Sequence, residues 1–296
     1  MDQPYPKAKV ILALTVGLTS IGFAPILVKL ATPYSAFLVA AYRTVLAVVL
    51  LLPVWFLSEE SKTRHNDGNH KWILLSGVLL GLHFICWIGS LYFTSVASAS
   101  VLVTIHPILL IVTERVLFKI KFPILAWIGV CVAFFGSALL GITDSSGETD
   151  FQNPLLGNTL AFTAACIFAV YFLIGRKVRV HRSWLGYVFP VYAYAALTCV
   201  FVFIIIDPLS FTIDRTLLVL GLGMAIGPQI LGHGALNYAV RYVSPTLLSS
   251  LILIEPVFAS TIAFFLFSEL PPTLSFFAMG ITLIGVALTW RRKRAA

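Results

Sequence analysis

Glu255 and His106 each sit deep inside a long apolar run, and each directly precedes a proline, Pro256 and Pro107. A carboxyl or an imidazole can hold a cationic group or take up and release a proton, and in hydrocarbon such groups are too costly to be incidental. Counting helical rise from Pro245 places Glu255 roughly 15 Å deep, and counting from Ala97 places His106 at about 14 Å. Prolines lack a backbone donor, so these two free the carbonyls of Val103 and Ile252 and are expected to kink both helices. Two readings stay open. Glu255 is a substrate or proton site with His106 as its partner or relay, or the two form a buried hydrogen bond that fixes packing.

Other polar side chains lie in the same kind of setting. His83 and Trp87, four residues apart, share one helix face, where the indole could stack on an organic ligand or pack against a neighbouring helix. Gln229, His233, Asn237 and Arg241 recur every fourth residue, a stripe that lipid would not accept. It reads either as a water-accessible path or as a seam of interhelical hydrogen bonds, with Gly227-Pro228 as an expected break just above it. Arg43, roughly 12 Å inside its run, reads as a structural arginine bonded to backbone carbonyls. Lys29, Glu114 and Glu269, at run ends, read as interfacial. Cys86, Cys131, Cys166 and Cys199 have neither disulfide-like clustering nor metal-ligand spacing and read as packing residues. No catalytic residue, metal or cofactor is expected.

The elements that must hold these residues follow from composition. With 59% hydrophobic and 11% charged residues, the 296-residue chain cannot present a water-soluble surface and reads as an integral membrane protein. A helix needs about 20 apolar residues to cross the hydrocarbon core. Ten runs qualify: 10–30, 35–57, 72–93, 97–117, 122–141, 155–175, 184–206, 216–240, 245–267 and 273–290. Basic residues alternate by connection. Lys7 and Lys9 precede span 1, and Arg291, Arg292, Lys293 and Arg294 follow span 10; Lys62, Arg64, Lys71, Arg115, Lys119, Lys121, Arg176, Lys177, Arg179, Arg182 and Arg241 fall between spans 2–3, 4–5, 6–7 and 8–9. The positive-inside rule then puts both termini in the cytoplasm of a multi-pass protein of an inner or plasma membrane. Because the basic residues follow topology rather than a stripe, nucleic acid is excluded as a partner despite a net charge of +8.

Residues 95–141 and 244–290 are one stretch written twice at an offset of 149, with Ser95 matching Ser244, Ile105 matching Ile254, Pro107 matching Pro256, Pro123 matching Pro272 and Gly136 matching Gly285. His106 and Glu255 are therefore equivalent positions. Five spans per half is an odd number, so the second half must be inverted relative to the first. The expected architecture is an all-α membrane protein of ten transmembrane helices in two inverted five-helix repeats, 10–141 and 155–290. Gly77-x-x-x-Gly81 in span 3 and Gly223-x-x-x-Gly227 in span 8 are expected to give close-packing faces.

Ten spans in a 5+5 arrangement, Tyr42-Arg43 in span 2, Glu255-Pro256-Val257 in span 9 and Phe267-Ser268-Glu269 at its end together make the chain resemble the drug/metabolite transporter superfamily, in its ten-helix branch of two EamA domains. The resemblance implies a central cavity lined mainly by helices 1, 3, 4, 6, 8 and 9. It also implies export or exchange of amino acids, drug-like compounds, nucleotide sugars or other metabolites. The expected function is a secondary transporter of a small organic solute, an amino acid or drug-like compound, working by alternating access as monomer or homodimer, with protons as a candidate coupling ion. The rivals are a nucleotide-sugar-type exchanger of the same superfamily and a membrane-embedded transferase. The transferase would need a metal cluster or a Gly-rich phosphate loop, and the chain has neither motif.

Overall fold

A computed structural model describes residues 6–63, 68–94, 96–144, 153–255, 257–258, 261–262, 265 and 273–290. Every regular element among them is helical. That is the solution lipid demands of a chain with long apolar runs, since only a helix satisfies each backbone donor and acceptor within its own segment. Eight helices are long and apolar enough to cross a membrane, and Ile124–Leu139 is a shorter apolar one. With span 9, described from Pro245 to Glu255, these make the ten-span, all-α membrane fold.

Five spans are uninterrupted: Ala36–Leu57 (span 2), His70–Phe93 (span 3), Pro154–Arg179 (span 6), Trp184–Ile206 (span 7) and Thr273–Trp290 (span 10). So is span 5, Ile124–Asp144. Span 6 runs four residues beyond the expected 175, so Arg176, Lys177 and Arg179 are helical rather than loop residues. The other four spans are broken. Span 1 is Lys7–Gly22 followed by Ala24–Leu30, interrupted at Phe23 because Pro25 has no N–H to give the Ile21 carbonyl. Span 4 is Val96–Val103 followed by His106–Val116. Span 8 passes from Arg215–Met224 through a π-helical stretch, Ala225–His233, to Gly234–Ala239, with Pro228 inside the π segment. Span 9 has Pro245–Ile252, then a turn at Leu253 and Ile254 before Glu255. Breaks in spans 4, 8 and 9 were expected from their prolines; the break in span 1 was not.

The duplication persists at residue level. Val96–Val103 and Pro245–Ile252 have the same bounds at the 149 offset, and the spans starting at Ile124 and Thr273 share it too. Both breaks tighten in the same way, Ile105 N–H to Leu102 O at 3.4 Å and Ile254 N–H to Leu251 O at 3.0 Å. Packing is exchanged between halves: span 1 lies on span 8 as span 6 lies on span 3, while spans 2 and 7, 4 and 9, and 5 and 10 pair across the axis.

Spans 5 and 10 show why small residues recur at the matched positions. A methyl added to Gly136 would lie 2.5 Å from the Thr282 amide nitrogen, and one on its counterpart Gly285 would lie 2.6 Å from Ala133 Cα. Residue 133 and residue 282 are themselves repeat equivalents, so the two contacts are one contact seen twice. Gly77 and Gly81 likewise press on span 7, at Tyr194 and Thr198. The matching face expected at Gly223 and Gly227 is not used so: Gly223 meets only Leu27 side-chain carbons at 3.6 Å, and Gly227 meets nothing within 4 Å. The π stretch turns that face away, and span 8 instead approaches span 1 through Gly232, against Ile21, and Ala235, against Gly17.

At one membrane face the connections between spans 1–2 and 7–8 are tied together. Tyr34 donates its hydroxyl to Asp214, which also caps span 8 by accepting from Thr216 and Leu217 N–H. The Tyr34 hydrogen bond, then that from Leu217, holds the Asp214 carboxyl below the usual range. Because the folded-state value is depressed, this tie contributes above the unfolded carboxyl's range and is lost as pH falls through the depressed value.

The two-fold contact makes a quantitative expectation. Gly136→Ala and Gly285→Ala should each destabilise the purified protein by about 1–3 kcal/mol through overpacking. Gly280→Ala, with nothing within 4 Å of the added carbon, should leave thermal unfolding unchanged or slightly improved. A loss at Gly280 equal to the other two would show that the contact is not the cause.

Candidate functional site

The four breaks converge on one place. A cavity of about 50 Å³ lies where the halves meet, and roughly 10–15 Å³ suffices for a single water. Span 1 contributes Ile21 and Ala24 from the two sides of its break, span 4 contributes Val103, Thr104 and His106, span 8 contributes Pro228, His233 and Leu236, and span 9 contributes Ile252 and Glu255. His83, Phe84 and Trp87 come from span 3, Phe168 from span 6 and Arg43 from span 2. The lining helices thus include all six that the resemblance implied, with span 2 in addition.

Of the residues singled out in the sequence, His83, Trp87, His106, His233 and Glu255 are brought together here; Gln229 and Asn237 are not part of the lining. His83 Nδ1 lies 2.9 Å from the Ala164 carbonyl. A carbonyl can only accept, so Nδ1 carries the hydrogen and Nε2 is left as an acceptor. Phe168 stands at the centre of the imidazoles, its ring centroid 5.2 Å from His83, 4.7 Å from His106 and 5.9 Å from His233. Neither ring nitrogen of His106 has a hydrogen-bond partner among the described residues, and neither does His233 Nδ1. The Glu–His bond considered from sequence is therefore absent, and His106 instead meets Phe168 edge-on. Pro256 lies outside the described residues, as does Glu269.

The span 8 stripe is divided by the π stretch, whose wider turn does not keep four-residue spacing on one face. Gln229 accepts from Arg43 Nε at 3.1 Å, its backbone carbonyl accepts from the Tyr192 hydroxyl at 2.7 Å, and its Nε2 has no partner among the described residues. Asn237 donates through Nδ2 to the Tyr171 hydroxyl at 2.6 Å and to His233 O at 2.8 Å. Only His233 reaches the cavity, and Arg241 is half-buried beside Tyr242.

Arg43 is the lining residue whose hydrogen-bond partner differs from the one read in the sequence. It is 1% exposed, and among the described residues its hydrogen bond goes to the Gln229 side chain rather than to backbone carbonyls. Its guanidinium carbon stands 4.0 Å over the Phe84 ring and 5.8 Å from that of Trp87. Arg43 and Glu255 share the cavity without coming within the 4.0 Å of an ion pair. Phe84, Phe168 and Thr104 carried no signal in the sequence, being ordinary membrane residues until the fold places them.

On the basic face the helix ends are tied by buried charge. Glu114, expected to be interfacial, is 2% exposed. Span 4 delivers it to the start of span 9, where its Oε2 accepts from Thr246 N–H at 2.9 Å and Thr246 Oγ1 at 2.5 Å. The amides at that helix start point outward without intrahelical partners, and a carboxylate satisfies both their hydrogen-bonding and their dipole. Arg176 donates to Val240 O at 2.6 Å, and Arg179 Nε donates to Asn237 O at 2.8 Å, so span 6 holds the end of span 8.

Comparison with known proteins agrees with the architecture. The sequence model of the EamA-like transporter family matches residues 8–142 and again residues 155–291. A Bacillus subtilis (strain 168) protein called "Uncharacterized transporter YdfC" is 24% identical over 198 residues, covering 66% of this chain and 63% of that protein. The matched stretch is thus under two thirds of that relative's length. A solved crystal structure of 16% identity covers 94% of this chain and 97% of its own with a TM-score of 0.76, a likeness of fold.

The Glu114 tie yields its own test. Glu114→Ala strands buried donors of span 9 and should lower stability by about 1–3 kcal/mol. In a double-mutant cycle on thermal or denaturant unfolding, Thr246→Ala should recover part of that loss. Strict additivity would mean the two side chains do not interact.

Proposed function

Because the chain belongs to the EamA-like transporter family, we propose that it is a secondary carrier that exports a small organic metabolite by alternating access, with protons as the coupling ion. The observation that carries this reading is the convergence of four interrupted helices on one cavity between the halves. Interrupted helices expose backbone groups and end dipoles to a solute at mid-membrane, and two packed halves can rock about such a site. Glu255 and His106 sit there in equivalent repeat positions without an ion pair or hydrogen bond between them. A carboxyl and an imidazole with no hydrogen-bond partner among the described residues can exchange a proton or engage a solute. The basic-residue alternation supports cytoplasmic termini in an inner or plasma membrane. Export rests on the family resemblance.

Orientation is tested by labelling single cysteines in a background without native cysteines. The probes are Leu209, 97% exposed, and Val180, 48% exposed. Leu209→Cys should react with an impermeant maleimide from outside intact cells, and Val180→Cys only after lysis. The reverse would overturn the orientation.

The coupling role is tested in proteoliposomes. Glu255→Gln keeps size and hydrogen-bonding capacity and should fold normally while losing most transport and its pH dependence. His106→Gln should be milder, because a water can replace a relay. Wild-type rate and pH profile in Glu255→Gln would make the carboxyl scaffolding.

A further inference from the structure

We infer that Arg43 is an anion subsite of the central cavity, so that the solute carried is an organic carboxylate held by that guanidinium, with a hydrogen-bond-donating or cationic group directed toward Glu255. The inference rests on the carrier reading above and gives it a substrate class.

A fully buried guanidinium in a membrane protein needs a counter-charge or a saturated set of acceptors. Arg43 has neither among the described residues. No carboxylate lies within 4.0 Å, and Nε is its one hydrogen-bonding nitrogen. That bond fixes more than it satisfies. With Nε committed to Gln229 and the plane stacked on Phe84, the guanidinium is oriented, and the end-on fork of its two terminal NH₂ groups is left over. Neither of those nitrogens is sealed off as a buried orphan, and Arg43 lines the cavity. The fork is the donor pair that matches the two oxygens of a carboxylate.

Carboxylate is favoured over phosphate by charge and by room. One guanidinium offsets one negative charge, Glu255 lines the same small cavity, and a dianion would stand beside that carboxyl with no second arginine or lysine among the lining residues. Glu255, His106 and the bare Nε2 of His83 supply acceptors for the other end of a dipolar solute. Phe84 and Trp87 already flank the guanidinium and would flank the bound carboxylate.

The test uses the full chain purified in detergent and matched solutes differing at one group: L-alanine, L-alaninamide, ethylamine and propionate, and the phenyl series L-phenylalanine, L-phenylalaninamide, phenethylamine and 3-phenylpropionate. Ligands that bind only the folded state raise its apparent melting temperature. In at least one series the carboxylate-bearing members should stabilise the protein, with the amide and the amine weaker by roughly 10- to 100-fold in apparent affinity, the range expected for a charged hydrogen-bonded contact. Arg43→Gln should remove the difference between acid and amide, and Arg43→Lys, which keeps charge but not the fork, should restore it only in part. Equal or tighter binding of the amide or amine overturns the inference, as does the absence of stabilisation by every carboxylate. Since these comparisons are made first on the wild type, a variant that fails to fold does not remove the test. Two-sided cysteine accessibility of cavity positions tests alternating access without any solute. A carrier that binds amines but not carboxylates would therefore sink this inference and leave the carrier reading standing.

Discussion

Inside a bilayer no water is available to satisfy a peptide group, and the arrangement of this molecule follows from that constraint. Six spans meet it by closing their own hydrogen bonds along their whole length. Spans 1, 4, 8 and 9 break the rule, and each break leaves carbonyls or amides that hydrocarbon would penalise by several kcal/mol apiece. Such breaks are tolerable only where protein or a polar cavity covers them. They lie together, at the junction of the halves, with Ile21, Val103, Pro228 and Ile252 all facing the same space. The uninterrupted spans surround them, and the glycine contacts at positions 77, 81, 136 and 285 let those helices pack closely enough to do so.

The buried polar groups divide into two populations. Toward the basic face most are committed: Glu114 caps span 9, and Arg176 and Arg179 hold the carbonyls at the end of span 8, while Asn237 Oδ1 has no partner among the described residues. In and beside the cavity they are under-used, with nitrogens on His106, His233 and Gln229 and the terminal fork of Arg43 lacking partners among the described residues. Native interiors leave few polar atoms unpaired. Scaffolding on one side and unspent hydrogen-bonding capacity at the centre is the distribution that separates parts holding a shape from parts that meet a ligand.

Much of this was legible beforehand, for physical reasons. Hydropathy reported the spans because lipid imposes length and composition, and the 149-residue offset reported the symmetry because both copies make the same close contact, Gly136 on one side and Gly285 on the other. Prolines 107, 228 and 256 flagged three breaks. What escaped depended on side chains meeting across the fold. Glu114 at a span end looked interfacial, since nothing local says that Thr246 will come to it. Arg43 looked bonded to backbone carbonyls, because its neighbours in sequence are apolar and its partner Gln229 is 186 residues away. The four-residue rhythm of Gln229, His233 and Asn237 presumed an α-helix, and the π-helical stretch divides those residues between a cavity and two hydrogen-bonded seams. Phe168, the ring on which three imidazoles converge, is indistinguishable in sequence from any lipid-facing phenylalanine.

The near-equivalence of the two halves carries one more consequence. If the copies were identical, rocking one against the other would give the same molecule turned over by a two-fold rotation about an axis in the membrane plane, and its two facings would be isoenergetic. A tilt in that balance must then come from the positions where the copies have diverged. His106 opposite Glu255 is the sharpest such difference among the matched, described residues: one position bears a base, the other an acid, at the same depth. For a carrier that works by such rocking, any bias toward one side would reside in the substitutions accumulated since the duplication rather than in the fold that the duplication created.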